Sequence, residues 1–129
     1  MNKNGEEKIA IIGIGYVGLP LAVEFSKKYK VVGFDLDKKR IEELISGYDR
    51  TNEISKEDLL NAERLKFVCS EKSIADANIY IITVPTPVDK NNIPNLDSLK
   101  SASALVGNYL RENDIVIYES TVFPGCTEE

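Results

Sequence analysis

Histidine is missing from all 129 residues. Its absence excludes proton transfer by an imidazole and leaves any such chemistry to Lys, Asp, Glu, Tyr, Cys or water. Cysteine is scarce too. Cys69 and Cys126 stand far apart with no CxxC spacing, and without histidine a zinc site has almost nothing to draw on, so no metal is expected. Basic charge is also short: 16 Lys and Arg against 21 Asp and Glu leave a formal charge of −5. That balance, with no basic stripe, argues against a nucleic-acid partner, whose phosphates demand a cationic face. Apolar runs stop at strand length, far below a bilayer span, so no membrane partner is expected either. The opening MNKNGEEK has no apolar segment behind its charges and does not read as a secretory signal. A cytoplasmic location is the default expectation.

What remains is ordinary globular composition, 43% hydrophobic and 29% charged, in a length that suits one domain over residues 1–129. Its periodicity alternates. KIAIIG (8–13) is a continuous apolar run, as in a strand covered on both faces. A helix fits residues 17–29, with Leu21, Ala22 and Phe25 on one face, Pro20 in its first turn, and Lys27 and Lys28 at its negative end. VVGFD (31–35) is a second strand. Asp37 is placed to cap a helix through KKRIEELIS that Gly47 stops, and Ser55 to cap another, with Asp58 in the capping-box position. LKFVC is a third strand, with Cys69 expected inside the core. After a helical turn through Ile74, NIYIITV (78–84) is the fourth. The stretch LDSLKSASALVGNYLR repeats Leu99, Ala102, Val106 and Leu110 at helical spacing, and DIVIYE (114–119) is the fifth strand. The pattern predicts an α/β fold, a doubly wound parallel sheet of Rossmann type with strand order 3-2-1-4-5, stopping before a sixth strand. The long irregular stretch TPVDKNNIPN (86–95) is a candidate functional loop.

The handover from first strand to first helix is IAIIGIGYVGLP, with Gly13, Gly15 and Gly18 spaced as GxGxxG. Each glycine has its own task. Gly13 permits a tight turn, Gly15 removes a Cβ so that backbone approaches a diphosphate, and Gly18 lets the helix pack on the sheet. The helix N-terminus then offers free N–H groups to the anion. Asp35 ends the second strand twenty residues beyond Gly15, the offset of a carboxylate that grips the adenosine ribose and repels a 2′-phosphate. These features predict a dinucleotide, with NAD preferred over NADP. Lys38, Lys39 and Arg40 leave the second coenzyme open unless they are a solvated helix start; Arg40 is also placed to lie against an adenine face. At the carboxyl edge of the sheet, Thr86 in VPTP and Ser120 and Thr121 in ESTVFPG are candidates for the nicotinamide half, or simple strand ends.

Together KIAIIGIGYVGLPLAVEF, VVGFDLDKKRIEEL, VPTPVDKNNIPNLD and ESTVFPGCTEE resemble the N-terminal domain of the UDP-glucose/GDP-mannose dehydrogenase family. DRTNEI and ESTVFPGCTEE are most similar to its UDP-N-acetylhexosamine branch, which makes uronic acids for surface polysaccharides. The resemblance implies oxidation of a UDP-sugar C6 alcohol to a carboxylate by two hydride transfers to two NAD molecules. In such enzymes Tyr16, Val17, Asp35, Arg40, Thr86 and Thr121 match positions lining the cofactor. Thr121 also matches a threonine near the reacting carbon that helps place the hydrolytic water or the catalytic lysine. A cysteine traps the aldehyde as a thiohemiacetal between the two steps. In the family that cysteine, the lysine and much of the sugar site lie downstream, with a central dimerisation domain and a C-terminal sugar-binding domain. Neither Cys69 nor Cys126 matches the nucleophile. The chain is thus expected to bind NAD without oxidising sugar by itself, the full-length form being a homodimer. Two rivals remain at this level: a non-catalytic nucleotide-sensing Rossmann domain of a transport regulator, and a methyltransferase binding S-adenosylmethionine.

Overall fold

A computed structural model describes residues 7–15, 17–86, 90, 91, 93, 96–119, 121 and 122, with residues 85, 86, 121 and 122 described through their backbone. The apolar run after Glu7 forms β1 (Lys8–Ile12), which lies at the centre of a parallel sheet. On one side it pairs with β2 (Lys30–Phe34), from Lys8↔Lys30 to Ile12↔Phe34. On the other it pairs with β4 (Ile79–Ile82), from Ile9↔Ile79 to Ile12↔Ile82. β3 (Leu65–Val68) joins β2, and β6 (Ile115–Tyr118) joins β4, both in parallel. The spatial order β3-β2-β1-β4-β6 is the expected 3-2-1-4-5. The labels differ because two short strands outside that sheet, β5 (Pro85–Thr86) and β7 (Thr121–Val122), pair with each other.

Alternation along the strands divides two cores. Ile9, Ile11, Val31, Leu65 and Ile81 face α1 (Gly18–Phe25), α2 (Lys38–Ile45) and α3 (Lys56–Asn61) through Leu19, Ala22, Leu44 and Leu59. Ala10, Ile12, Val32, Phe34, Tyr80 and Ile82 face a 3₁₀ turn (Glu71–Ile74) and α4 (Asp97–Gly107) through Ile74, Ala102 and Val106. Helices on both faces explain why β1 and β2 are apolar without alternation. At the edge, β6 is different: Ile115, Ile117 and Tyr118 are 52%, 40% and 53% exposed, Tyr118 meeting α4 through a 2.9 Å hydrogen bond between its hydroxyl and that of Ser103.

The caps read from sequence are present. The Asp37 carboxylate accepts from the Arg40 N–H at 3.1 Å, and the Ser55 hydroxyl accepts from the Asp58 N–H at 3.1 Å. Gly47 stops α2 with a φ of +94°, a conformation open to glycine. Two helices end sooner than expected. α1 stops at Phe25, where the Ser26 hydroxyl donates to the Val23 carbonyl at 2.7 Å and turns the chain, so Lys27 and Lys28 follow the helix. α4 stops at Gly107, which leaves Leu110 42% exposed outside the helical face predicted for it. Among the described residues no helix is long and apolar enough to cross a membrane.

Candidate functional site

β1 does not run straight into α1. The Gly13 N–H donates to the Phe34 carbonyl at 2.8 Å, and its φ of +99° turns the chain across the sheet edge. The Thr83 hydroxyl, 5% exposed at the end of β4, donates to the Gly13 carbonyl at 2.5 Å with the Ile12 carbonyl 3.2 Å away. Ile14 is then held on three sides. Its N–H donates to Asp35 Oδ2 at 2.9 Å, and its carbonyl accepts from Arg40 Nε at 2.9 Å. Its side chain is buried over Gly33, where a Cβ would come within 2.9 Å of Ile14 Cδ1. With Ile14 anchored, Gly15 is left bare: a Cβ there would meet no atom within 4 Å. Gly18 is the opposite case, since its Cβ would run into the Gly13 carbonyl oxygen.

A cleft of about 710 Å³ opens beside this turn, at the carboxyl ends of β1 and β2. Gly13, Gly15, Asp35 and Arg40, all predicted from sequence, line it together. Val17 and Gly18 are not among its lining residues; the Val17 carbonyl accepts from the Leu21 N–H at the start of α1. The second Asp35 oxygen accepts from the Asp37 N–H at 2.9 Å. Each oxygen keeps a further lone pair, so the carboxylate can still accept sugar hydroxyls. Thr86 and Thr121 belong to β5 and β7, whose pairing (Pro85↔Thr121, Thr86↔Val122) sets the two predicted segments side by side. Tyr16, Ser120 and Cys126 lie outside the described residues.

The charge run of α2 is split by the fold. Lys38 and Lys39 are exposed, as a solvated helix start should be, but Arg40 is 4% exposed. Its Nη1 donates to Asp49 Oδ1 at 2.9 Å, and its Nη2 is buried without a partner among the described residues. Asp49, missed in the sequence reading, organises the whole turn after α2. Its carboxylate accepts from the Thr51 hydroxyl at 2.6 Å, the Thr51 N–H at 2.9 Å, the Glu53 N–H at 2.7 Å and the Ile54 N–H at 2.9 Å. Burial alone would push this carboxyl up; the bonds from Thr51, Arg40 and the backbone outweigh it and hold the group well below the usual carboxylate range. A usable signal was the short DRT stretch, in which an Asp precedes a hydroxyl and free N–H groups in turn spacing. Thr83 had a signal as well, a lone hydroxyl interrupting an apolar run at a strand end. Cys69 corrects an expectation: β3 ends at Val68, and the thiol is exposed just beyond it instead of packed in the core.

Residues 7–129 match the model of the UDP-glucose/GDP-mannose dehydrogenase family, NAD binding domain. The chain belongs to that family. It is 57% identical, over 96% of its length, to a UDP-N-acetyl-D-glucosamine 6-dehydrogenase of Salmonella typhi, and 48% identical, over its whole length, to Protein CapL of Staphylococcus aureus. It covers 29% of each of those two proteins. Among solved structures, a UDP-D-ManNAc dehydrogenase from Pyrococcus horikoshii superposes with a TM-score of 0.81 at 34% identity, over 93% of this chain and 30% of that one. NAD is therefore the coenzyme of this domain, and the two rival ligand classes fall away. The residues fit it. The glycine turn presents the side-chain-free backbone of Gly15 to the cleft, and Arg40, which also lines it, braces that turn through the Ile14 carbonyl. Among the described residues no group of three or more His, Cys, Asp or Glu is placed to hold a metal.

Proposed function

We propose that this chain is the NAD-binding part of a nucleotide-sugar 6-dehydrogenase that oxidises the C6 alcohol of a UDP-N-acetylhexosamine to the uronate for polysaccharide biosynthesis. UDP-N-acetyl-D-glucosamine is the favoured sugar, because the relative at 57% identity acts on it. The observation that carries the reading is the grip on Ile14 by Asp35 and Arg40, which leaves Gly15 bare in a cleft of dinucleotide size. NAD supplies the hydride acceptor; the chain's own residues bind and orient it. Gly13, Gly15 and Gly18 shape the diphosphate turn, with Tyr16 and Val17 between the last two serving the coenzyme as well. Asp35 accepts from the adenosine ribose, and Arg40 serves the coenzyme from behind the turn by holding the Ile14 carbonyl. Thr86, Ser120 and Thr121 serve the nicotinamide end, where Thr121 supports the placement of the hydrolytic water or the catalytic lysine. The cysteine nucleophile, that lysine, the sugar site and the homodimer contacts come from the further length present in the relatives.

Calorimetric titration with NAD, NADP, ATP and S-adenosylmethionine tests the ligand class, and NAD must bind most tightly. Assay of the full-length protein with UDP-N-acetylglucosamine, UDP-N-acetylgalactosamine and UDP-glucose tests the chemistry; turnover of none of them would defeat the proposal. Two variants probe the site. Gly15→Ala is expected to leave stability within about 1 kcal/mol, since nothing meets the new methyl, while NAD affinity falls at least about tenfold as that methyl takes the diphosphate's place. Asp35→Asn is expected to weaken NAD by roughly tenfold and to narrow the preference over NADP. Unchanged affinities in either protein would remove the role given to that residue.

A further inference from the structure

Arg40 and Arg50 are the cations among the described residues that line the cleft. They differ in what they have left to give. Arg40 is buried and committed through Nε and Nη1. Arg50 is 40% exposed at the mouth; its Nε donates to Glu43 Oε1 at 2.8 Å, and its Nη1 stands 3.5 Å from Asp37 Oδ2. Asp37 in turn donates its N–H to Asp35, so Arg50 sits one residue's reach from the carboxylate assigned to the ribose. Lys38 and Lys39 are on the same helix start but do not line the cleft.

Resting on the NAD reading above, we propose that Arg50 is a specificity-determining residue held in check: its clasp by Glu43 and Asp37 keeps the ribose end of the cleft negative and rejects a 2′-phosphate. Asp35, Asp37 and Glu43 place three carboxylates there, against Arg50 and an Arg40 whose guanidinium is already paired with Asp49. An uncharged 2′-hydroxyl tolerates that balance, whereas a phosphate dianion meets repulsion and finds the nearest cation already paired. The clasp is exposed enough to be weak, as surface ion pairs are. Removing the Glu43 charge leaves Arg50 only the longer 3.5 Å contact with Asp37, which a phosphate dianion displaces in a planar, two-pronged contact.

The test is Glu43→Gln, alone and combined with Arg50→Ala, titrated with NAD, NADP, 5′-AMP and adenosine 2′,5′-bisphosphate. Glu43→Gln should bind NADP and the bisphosphate about tenfold more tightly, the worth of one charge-assisted hydrogen bond. NAD and 5′-AMP should change by less than about twofold, because neither carries the 2′-phosphate. Raising the salt should shrink the gain, and Arg50→Ala in the same background should abolish it. No gain, a gain that survives loss of Arg50, or an equal gain for NAD overturns the proposal. A parent protein that binds none of the four overturns the NAD reading as well, so the two failures are told apart.

Discussion

Asp49→Ala is expected to destabilise the protein by about 3–5 kcal/mol, the range for breaking one side of a buried ion pair. Arg40 is the reason. Its side chain is 5% exposed and that of Asp49 is fully buried, so the guanidinium left behind cannot recover water. The same substitution orphans the Thr51, Glu53 and Ile54 N–H groups that meet on this carboxylate. Urea unfolding followed by circular dichroism measures the loss; a midpoint equivalent to less than about 1 kcal/mol would mean that the pair is not a structural brace. Acid supplies a second readout. The Asp49 carboxyl sits below its ordinary value of 3.8 in the folded protein. Its contribution is thus complete above that value and is lost as pH falls below it toward the folded value. The parent should lose stability on going from about pH 4 to pH 2, while Asp49→Asn, with nothing to titrate there, should show a flatter curve. Because Arg40 also holds the Ile14 carbonyl, the damage should reach the coenzyme turn and not only the loop after α2.

Gly18→Ala should be nearly as harmful, at about 3 kcal/mol or more, although it adds a single methyl group. The new Cβ would overlap the Gly13 carbonyl oxygen and lie 2.6 Å from Thr83 Oγ1 and 3.1 Å from the Gly13 carbonyl carbon. Two of these are backbone atoms held in place, the carbonyl oxygen by Thr83 and the residue by its N–H to Phe34. No rotamer change relieves the clash; α1 must lift from the sheet. Thermal unfolding of Gly18→Ala beside Gly15→Ala is the decisive comparison. The first should melt well below the parent and the second beside it, while both bind NAD poorly. Equal melting temperatures would show that the third glycine is not a packing requirement.

How much of this was legible beforehand depended on distance along the chain. The glycine turn could be read because three glycines between an apolar run and a helical pattern are a local conformational demand. Asp37 and Ser55 could be read as caps because each bonds an N–H three residues away. Arg40 was legible as a cation near the coenzyme, but not as a buried one. Whether it faces water or Asp49 depends on how the turn after α2 folds back over nine residues, and periodicity carries no such information. Cys69 was misplaced by one residue at a strand end, enough to move a thiol from core to solvent.

The sequence by itself determined the order of the five main strands and their helices, the parallel sheet and the glycine turn, since apolar period, glycine spacing and caps act within a few residues of one another. Only the tertiary structure decided which side chains hold that turn. Thr83 meets Gly13 across 70 positions, Arg40 meets Ile14 across 26, and Pro85 of β5 pairs with Thr121 of β7. Such meetings are set by strand register and by what the sheet brings to its carboxyl edge, and no local preference of the chain encodes them.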